Sequence, residues 1–546
     1  MNKIETKLVG HIEDIILDAF GIEKEDGLVM LEIPNNPEMG DYSTNIAMRL
    51  TKRVGKNPRE IAGVIVEKLE DNEMVESISI AGPGFINFVM KPAVLGSVVN
   101  DVIEAGKDYG RSNAGEGIRL LNEYVSANPT GQLHVGHARG AAWGDSLSRI
   151  MSFAGYDVLR EYYINDLGNQ ILMLSHSLYA RYKQAFGMEA PLPEDGYHGP
   201  DIIEIANDVK ESEGDKWLSA PEEEWVPYFK ELGIKLELER IKEDLNTFGV
   251  EMDSWVSEKW LYDDGRVEES LEELKAKGVT FEEDGALWLR STDFGDDKDR
   301  VLIKSDGSYT YLVPDIANHI YKLERGYTHL LNLWGGDHHG YIVRMQAALE
   351  ALGHPNVLDV DIIQMVRLVD EGVEVKMSKR TGNALGLVEL VDDIGVDATR
   401  YFFVSRALAT PLDFDLGLAR KKSNDNPVFY VQYAHARICS ILRQAGEVPH
   451  VDVIDQLTNP KEIALLKEIN EFSSVVADAA KKREVHKIAN YVQDLASSFH
   501  SFYGEVKVMD PSNPELQAQR LNLLVAVKIT LSNALNLIGV NAPEQM

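Results

Sequence analysis

A chain of 546 residues is too long for one ordinary hydrophobic core, so three or four domains are expected. With 55 basic and 88 acidic residues the formal charge is −33, a field that repels polyanions at long range yet leaves room for a locally basic groove. The single cysteine, Cys439, excludes a disulfide within the chain and fits a reducing cytosol; no apolar run is long enough to span a bilayer, and a cytoplasmic location is expected.

In chain order, Ile4, Leu8, Ile12, Ile15 and Ile16 recur at helical spacing with acids between them. They mark a first helix ending near Phe20, not a signal peptide. The turn-rich IPNNPEMGDYSTNIAMRL leads into a helix, and ISIAGPGFINFVM reads as two short strands around a Gly-Pro-Gly turn. Residues 1–112 therefore read as a small α+β domain, closed by the glycine-rich GKDYGRSNAGEG.

RLLNEYVS reads as a strand, ARGAAWGDSLSRIMSFAG as a helix and DVLREYYIND as a second strand. Strand, helix, strand is the start of a parallel α/β sheet. Residues from about 180 to 280 read as a mostly helical, acidic insertion. ALWLRS and RVLIKSDGSYTYLV are expected to resume the sheet, the second through a hairpin turn at Asp306-Gly307. HLLNLWGGDHHG and DVDIIQMVRLV supply further strands, and this second domain runs over residues 113–419. Residues 420–546 show only helical periodicity, as in VFYVQYAHARICSILRQAG and RLNLLVAVKITLSNALNLIG, and predict a helical bundle.

Two stretches carry chemistry. SANPTGQLHVGHARG, Ser126 to Gly140, falls between a strand's C-terminal end and the first turn of a helix. Ligands bind at that edge of open α/β sheets, and a helix N-terminus attracts phosphate. His134 and His137, three apart, can lie on one face, and Gly136 lets a flat ring approach the backbone. Imidazoles there could steady a phosphate whose charge grows in a transition state; two capping or core histidines around a tight turn fit the spacing equally well. VKMSKRTGN, Val375 to Asn383, gathers Lys376, Lys379 and Arg380 among Ser and Gly in an otherwise acidic chain. Ammonium groups in such a loop suit a polyphosphate, although a solvated basic turn is the common alternative.

Together the two stretches are far more specific. HVGH resembles the first signature of class I aminoacyl-tRNA synthetases and KMSK matches the second, with Val135 as the one varying signature residue. NEYVSANPTGQLHVGHARG, YYINDLGNQI, FGDDKDRVLIKSDGSYTYLVPDIANHIYK, WGGDHHGYIVRMQAAL, VKMSKRTGN and YVQYAHARI resemble the arginyl-tRNA synthetase family over nearly the whole chain.

The resemblance implies a Rossmann-like parallel-sheet catalytic domain with insertions, flanked by an N-terminal α+β domain and a helical anticodon-binding bundle. It implies an ATP-dependent ligase that joins L-arginine to tRNA(Arg), acts as a monomer, and needs bound tRNA for activation. Its first signature covers Asn128, Pro129, Gly131, His134, Val135, Gly136, His137 and Ala138. His134, His137, Lys376 and Lys379 would be catalytic, and with Gly136, Gly336, Asp337 and His338 would bind ATP. Glu123, Asp315 and Tyr311 would meet the guanidinium, Asn128 the α-amino group and His134 the α-carboxylate. Phe85 and Asn87 would touch tRNA, and Tyr430 and Tyr433 could offer stacking faces in the bundle. No metal cage is expected; Mg²⁺ would arrive with ATP.

Rival readings stay open at this point. A cysteinyl enzyme would want zinc-ligand cysteines, which one cysteine cannot supply. A class I lysyl enzyme is harder to exclude by charge. A small-molecule adenylyltransferase would not need the two terminal domains, and a catalytically inactive tRNA-binding relative would not need intact signatures.

Overall fold

The computed structural model describes residues 2–25, 27–34, 36–375 and 385–546. The first helix runs Lys3–Phe20, capped by Asn2 with Glu5 and ended by Gly21 at φ 67°, where the periodicity placed its end. Strands β1 (Tyr42–Thr44), β2 (Val75–Ala81) and β3 (Phe85–Met90) form an antiparallel sheet in the order β1-β3-β2, with the Gly-Pro-Gly turn joining β2 and β3.

The parallel sheet holds β4 (Arg119–Glu123), β5 (Asp157–Ile164), β6 (Ser254–Ser257), β10 (His329–Gly335) and β11 (Leu358–Ile363). Its order is β11-β10-β4-β5-β6, and each neighbouring pair is parallel. The chain winds outward from β4 through β5 and β6, then continues on β4's other side with β10. That reversal opens a crevice beyond the C-terminal ends of β4 and β10.

Three expectations are corrected. ALWLRS and RVLIKSDGSYTYLV do not resume the parallel sheet. They contribute β8 (Ala286–Leu289) and β9 (Arg300–Ile303), which with β7 (Thr280–Glu283) form a separate antiparallel sheet. The physical reason is connection length: tight turns at Asp284-Gly285 and Asp306-Gly307 join antiparallel neighbours, whereas a parallel strand needs a long crossover. The sheet resumes earlier, at β6, four residues inside the stretch read as helical. YTYLV is no strand either; Tyr311 caps the helix Leu312–Glu324.

The inserted helices Asn169–Ala185, Pro200–Glu213 and Glu222–Thr247 have their own core, in which Tyr179 stacks on Trp225 at 3.9 Å and Phe229 is fully buried. DVDIIQMVRLV divides between β11 and β12 (Val366–Asp370), the latter in a small sheet with β13 (Val373–Glu374) and β14 (Leu412–Asp415). Beyond Arg420 the helices Pro427–Ala445, Pro460–Lys482, His486–Glu505 and Pro514–Leu537 form the bundle, with Cys439 buried inside it. Among the described residues no helix is long and apolar enough to cross a membrane.

Candidate active site

β4 ends at Glu123, earlier than RLLNEYVS suggested, because Val125 and Ser126 turn the chain at φ 72° and 38°. Asn128 then donates from Nδ2 to Gln170 Oε1 of the inserted helices, and Gly131 stands at φ 149°. Leu133 and Val135 are buried and anchor the turn. The helix begins at Val135, with His134 as its cap: Gly136 N–H donates to His134 Nδ1 at 3.1 Å, and His134 N–H donates to His137 Nδ1 at 3.3 Å. The two rings stack 3.7 Å apart and 22° from parallel. A Cβ at Gly136 would sit 3.0 Å from His134 Cε1, so any larger residue would push the ring by a few tenths of an ångström. The capping reading of these histidines is what the geometry shows: Nδ1 serves the cap, and the rings stand at a helix N-terminus.

Lys376, Lys379 and Arg380 lie outside the described residues. Their flanks are described. Val375 N–H donates to Leu368 O at 2.9 Å; on the far side Gly386 bridges to His134 and Leu387 N–H donates to Leu133 O at 2.8 Å. The chain at Gly386 and Leu387 thus lies against the histidine turn.

A cavity of about 770 Å³ fills the crevice. Glu123, Asn128, His137, Tyr311, Asp315 and His338 of the expected set line it. Gly336, Asp337 and His338 lie on the short 3₁₀ turn Gly336–Tyr341 that follows β10. Tyr311 is 80% exposed. Asp315 is not a helix cap; it sits beyond the third helical residue, and Tyr341 Oη donates to its Oδ2 at 2.5 Å. Burial pushes the Asp315 carboxyl up to about 7; the Tyr341 hydrogen bond resists that rise, and Glu258 and Glu123 add to it.

Glu123 behaves oppositely. Burial is the largest single influence and opposes its charge, but the Lys322 ammonium, 2.5 Å from Oε2, together with His319 and Ser126, holds the carboxyl below its ordinary value. Ser126 Oγ also donates to Oε1 at 3.2 Å. His319, pushed down to about 3 by burial and Lys322, stays neutral. Its Nδ1 faces the Asp315 carbonyl at 2.7 Å and so carries the proton, leaving Nε2 to accept from Asn332 Nδ2 at 3.2 Å. The crevice thus offers one pre-neutralised carboxylate and one carboxyl poised to ionise against an incoming cation, in a cavity that His137 of the helix start also lines.

Three family models match the chain: "Arginyl tRNA synthetase N terminal domain" over residues 3–90, "tRNA synthetases class I (R), catalytic domain" over 98–402 and "DALR anticodon binding domain" over 431–546. Arginine–tRNA ligase 1 of Halalkalibacterium halodurans is 52% identical, with all of both chains covered. The chain belongs to the arginyl-tRNA synthetase family. Within that family the Bacillus subtilis arginine–tRNA ligase is 53% identical over 98% of each chain. The solved arginyl-tRNA synthetase of Thermus thermophilus shares the fold at 24% identity, with a TM-score of 0.76 over 99% of this chain and all of that one. The architecture is accordingly the multidomain, Rossmann-like class I fold with a helical C-terminal region.

Phe85 and Asn87 stand apart from the crevice, on β3. Phe85 is half-buried; Asn87 is buried, its Oδ1 accepting from Ser43 Oγ at 2.7 Å. The sequence reading missed Tyr341, Lys322 and Glu258, the last with a carboxyl raised by burial and by Asp166. One signal was available: Asp315, Asn318, His319 and Lys322 form a polar stripe at helical spacing through an otherwise apolar helix.

Proposed function

We infer that this arginyl-tRNA synthetase is an arginine–tRNA ligase, activating L-arginine with ATP and transferring it to the terminal ribose of tRNA. The observation that carries this reading is the Asp315–Tyr341 pair inside the crevice, beside the stacked histidines. A guanidinium is a planar fork of donors and calls for carboxylates. Asp315 receives it, with Tyr311 alongside. Glu123, already matched by Lys322, fixes the electrostatics behind it. Asn128 takes the α-amino group, and His134 the α-carboxylate.

The arginine carboxylate then attacks the α-phosphorus of ATP in line, and pyrophosphate leaves. His134 and His137 steady the phosphate, Lys376 and Lys379 draw charge from the leaving pyrophosphate, and Gly136, Gly336, Asp337 and His338 shape the nucleotide side. Positioning and electrostatics supply most of the rate in such chemistry. ATP enters as its Mg²⁺ complex, a substrate. The 2′-hydroxyl of the tRNA end next attacks the adenylate carbonyl and AMP leaves. Phe85 contacts tRNA from the N-terminal domain (1–112), with the buried Asn87 bracing its strand against Ser43; the bundle (420–546) holds the anticodon region, and residues 113–419 carry the chemistry. The enzyme works as a monomer in the cytoplasm.

ATP–pyrophosphate exchange with each amino acid, with and without total tRNA, tests the reading. Exchange with arginine alone, in the presence of tRNA, is expected; exchange with lysine and none with arginine would overturn it.

A further inference from the structure

The helix that carries the histidine pair, Val135–Phe153, is held far from its histidines by one fully buried arginine. Arg400 Nη2 donates to Asp145 Oδ2 at 2.5 Å, Nη1 to the Phe248 carbonyl at 3.1 Å and Nε to the Ile538 carbonyl at 3.1 Å. Each acceptor belongs to a different part of the molecule. Asp145 lies on the histidine-bearing helix, Phe248 caps the last inserted helix, and Ile538 caps the terminal helix of the bundle. Arg149 repeats the joint one step away, donating to Asp145 Oδ2 at 2.7 Å, Gly249 O at 3.0 Å and Asn536 O at 3.4 Å.

The helix that bears Arg400, Val396–Val404, is itself tied to the bundle and its C-terminal tail. Asp397 accepts from Gln432 Nε2 at 2.7 Å and from Asn541 N–H at 3.0 Å. Gly539, at φ 65°, presses on the guanidinium so closely that a Cβ there would sit 2.3 Å from Arg400 Cζ. Asp145 lies eleven residues, about 16 Å of rigid helix, from His134. A slide or tilt at Asp145 is therefore delivered to the histidines.

Resting on the ligase reading, we propose that Arg400 is a positioning residue for the reaction: through Asp145, Phe248 and Ile538 it holds the histidine-bearing helix in register with the insertion and the bundle. A planar fork is needed, because acceptors in three directions exceed what a single ammonium can reach in place. Displacing the guanidinium from the bundle side shifts the histidines, whose hydrogen bonds are worth most where charge grows in the transition state, so it lowers kcat more than it raises KM.

The test uses the full chain and steady-state charging of tRNA with arginine. Gly539→Ala is compared with Gly21→Ala, another glycine that follows a helix at positive φ, here 67°, and whose added Cβ meets nothing within 4 Å. Both place alanine at nearly the same positive φ; only the first pushes on Arg400. Gly539→Ala should lower kcat by about 10- to 100-fold, the range a misplacement of roughly 1 Å produces, with KM for arginine and ATP within about threefold. Gly21→Ala should keep kcat within about twofold. If Gly539→Ala fails to fold, Arg400→Lys serves in its place and should show the same loss of kcat with KM kept. Equal kcat in the two glycine variants, or a folded Arg400→Lys with normal kcat, would overturn the proposal. Wild-type protein that does not charge arginine would instead overturn the ligase reading.

Discussion

The two ends of the crevice are built in opposite ways. At the histidine end the capping bonds are local: His134, Gly136 and His137 bond to one another within four residues of chain, with Gly386 bridging to His134 from outside. At the guanidinium end the contacts span the domain: Glu123 comes from β4, Asp315 and Lys322 from the helix Leu312–Glu324, and Tyr341 from the turn after β10. A phosphate can be met by the backbone of one helix start. A fork-shaped cation needs carboxylates whose charge is set by separate neighbours. The local end is robust in the fold and sensitive only in chemistry; the assembled end is sensitive in both.

Lys322→Met should separate the ends most sharply. It strands the buried Glu123 carboxylate, and breaking a buried pair costs about 3–5 kcal/mol, read as a loss of unfolding free energy in denaturant. A loss below about 1 kcal/mol would place the stability of this end elsewhere. His137→Ala should leave stability nearly intact and lower kcat about 100-fold, since one preorganised donor is worth ~3 kcal/mol, with modest change in KM. Near-normal kcat would remove His137 from the reaction.

A pH profile probes the guanidinium end alone. With the Asp315 carboxyl pushed up to about 7, the group is neutral below that pH and ionised above it. Since the guanidinium requires the ionised form, kcat/KM for arginine should be flat above about pH 8 and fall about tenfold per pH unit below 7. A profile flat down to pH 5 would mean that a different carboxylate reads arginine. Tyr341→Phe sharpens the point: it removes the bond that restrains the rise, so the break should move upward, and the lost charge-assisted bond, worth about 1.5 kcal/mol, should raise KM for arginine roughly tenfold. An unmoved break would separate Tyr341 from Asp315.

The same contrast explains what could be read from the chain. SANPTGQLHVGHARG announced its turn because cap, glycine and rings all lie within it, and the strand before and helix after it follow from periodicity. Asp315 and Glu123 were recognisable as acids through the family resemblance, but their opposite titration was not, because it depends on Lys322 and Tyr341 arriving from elsewhere. β6 went unread because four residues with Ser at both ends carry no strand pattern, and ALWLRS was misplaced because an antiparallel hairpin and a parallel edge share the same alternation. Arg400 gave no signal at all; its acceptors span residues 145 to 538.

The central claim is that the Asp315 carboxylate reads the guanidinium. Its most direct test is Asp315→Asn, with kcat/KM measured for arginine and for the uncharged isostere citrulline. Losing one side of a charge-assisted pair costs roughly 2–5 kcal/mol, so KM for arginine should rise at least about 30-fold while KM for ATP stays nearly unchanged and the discrimination against citrulline shrinks. Normal arginine kinetics in a folded Asp315→Asn variant would contradict the account and shift the reading of arginine to Glu123.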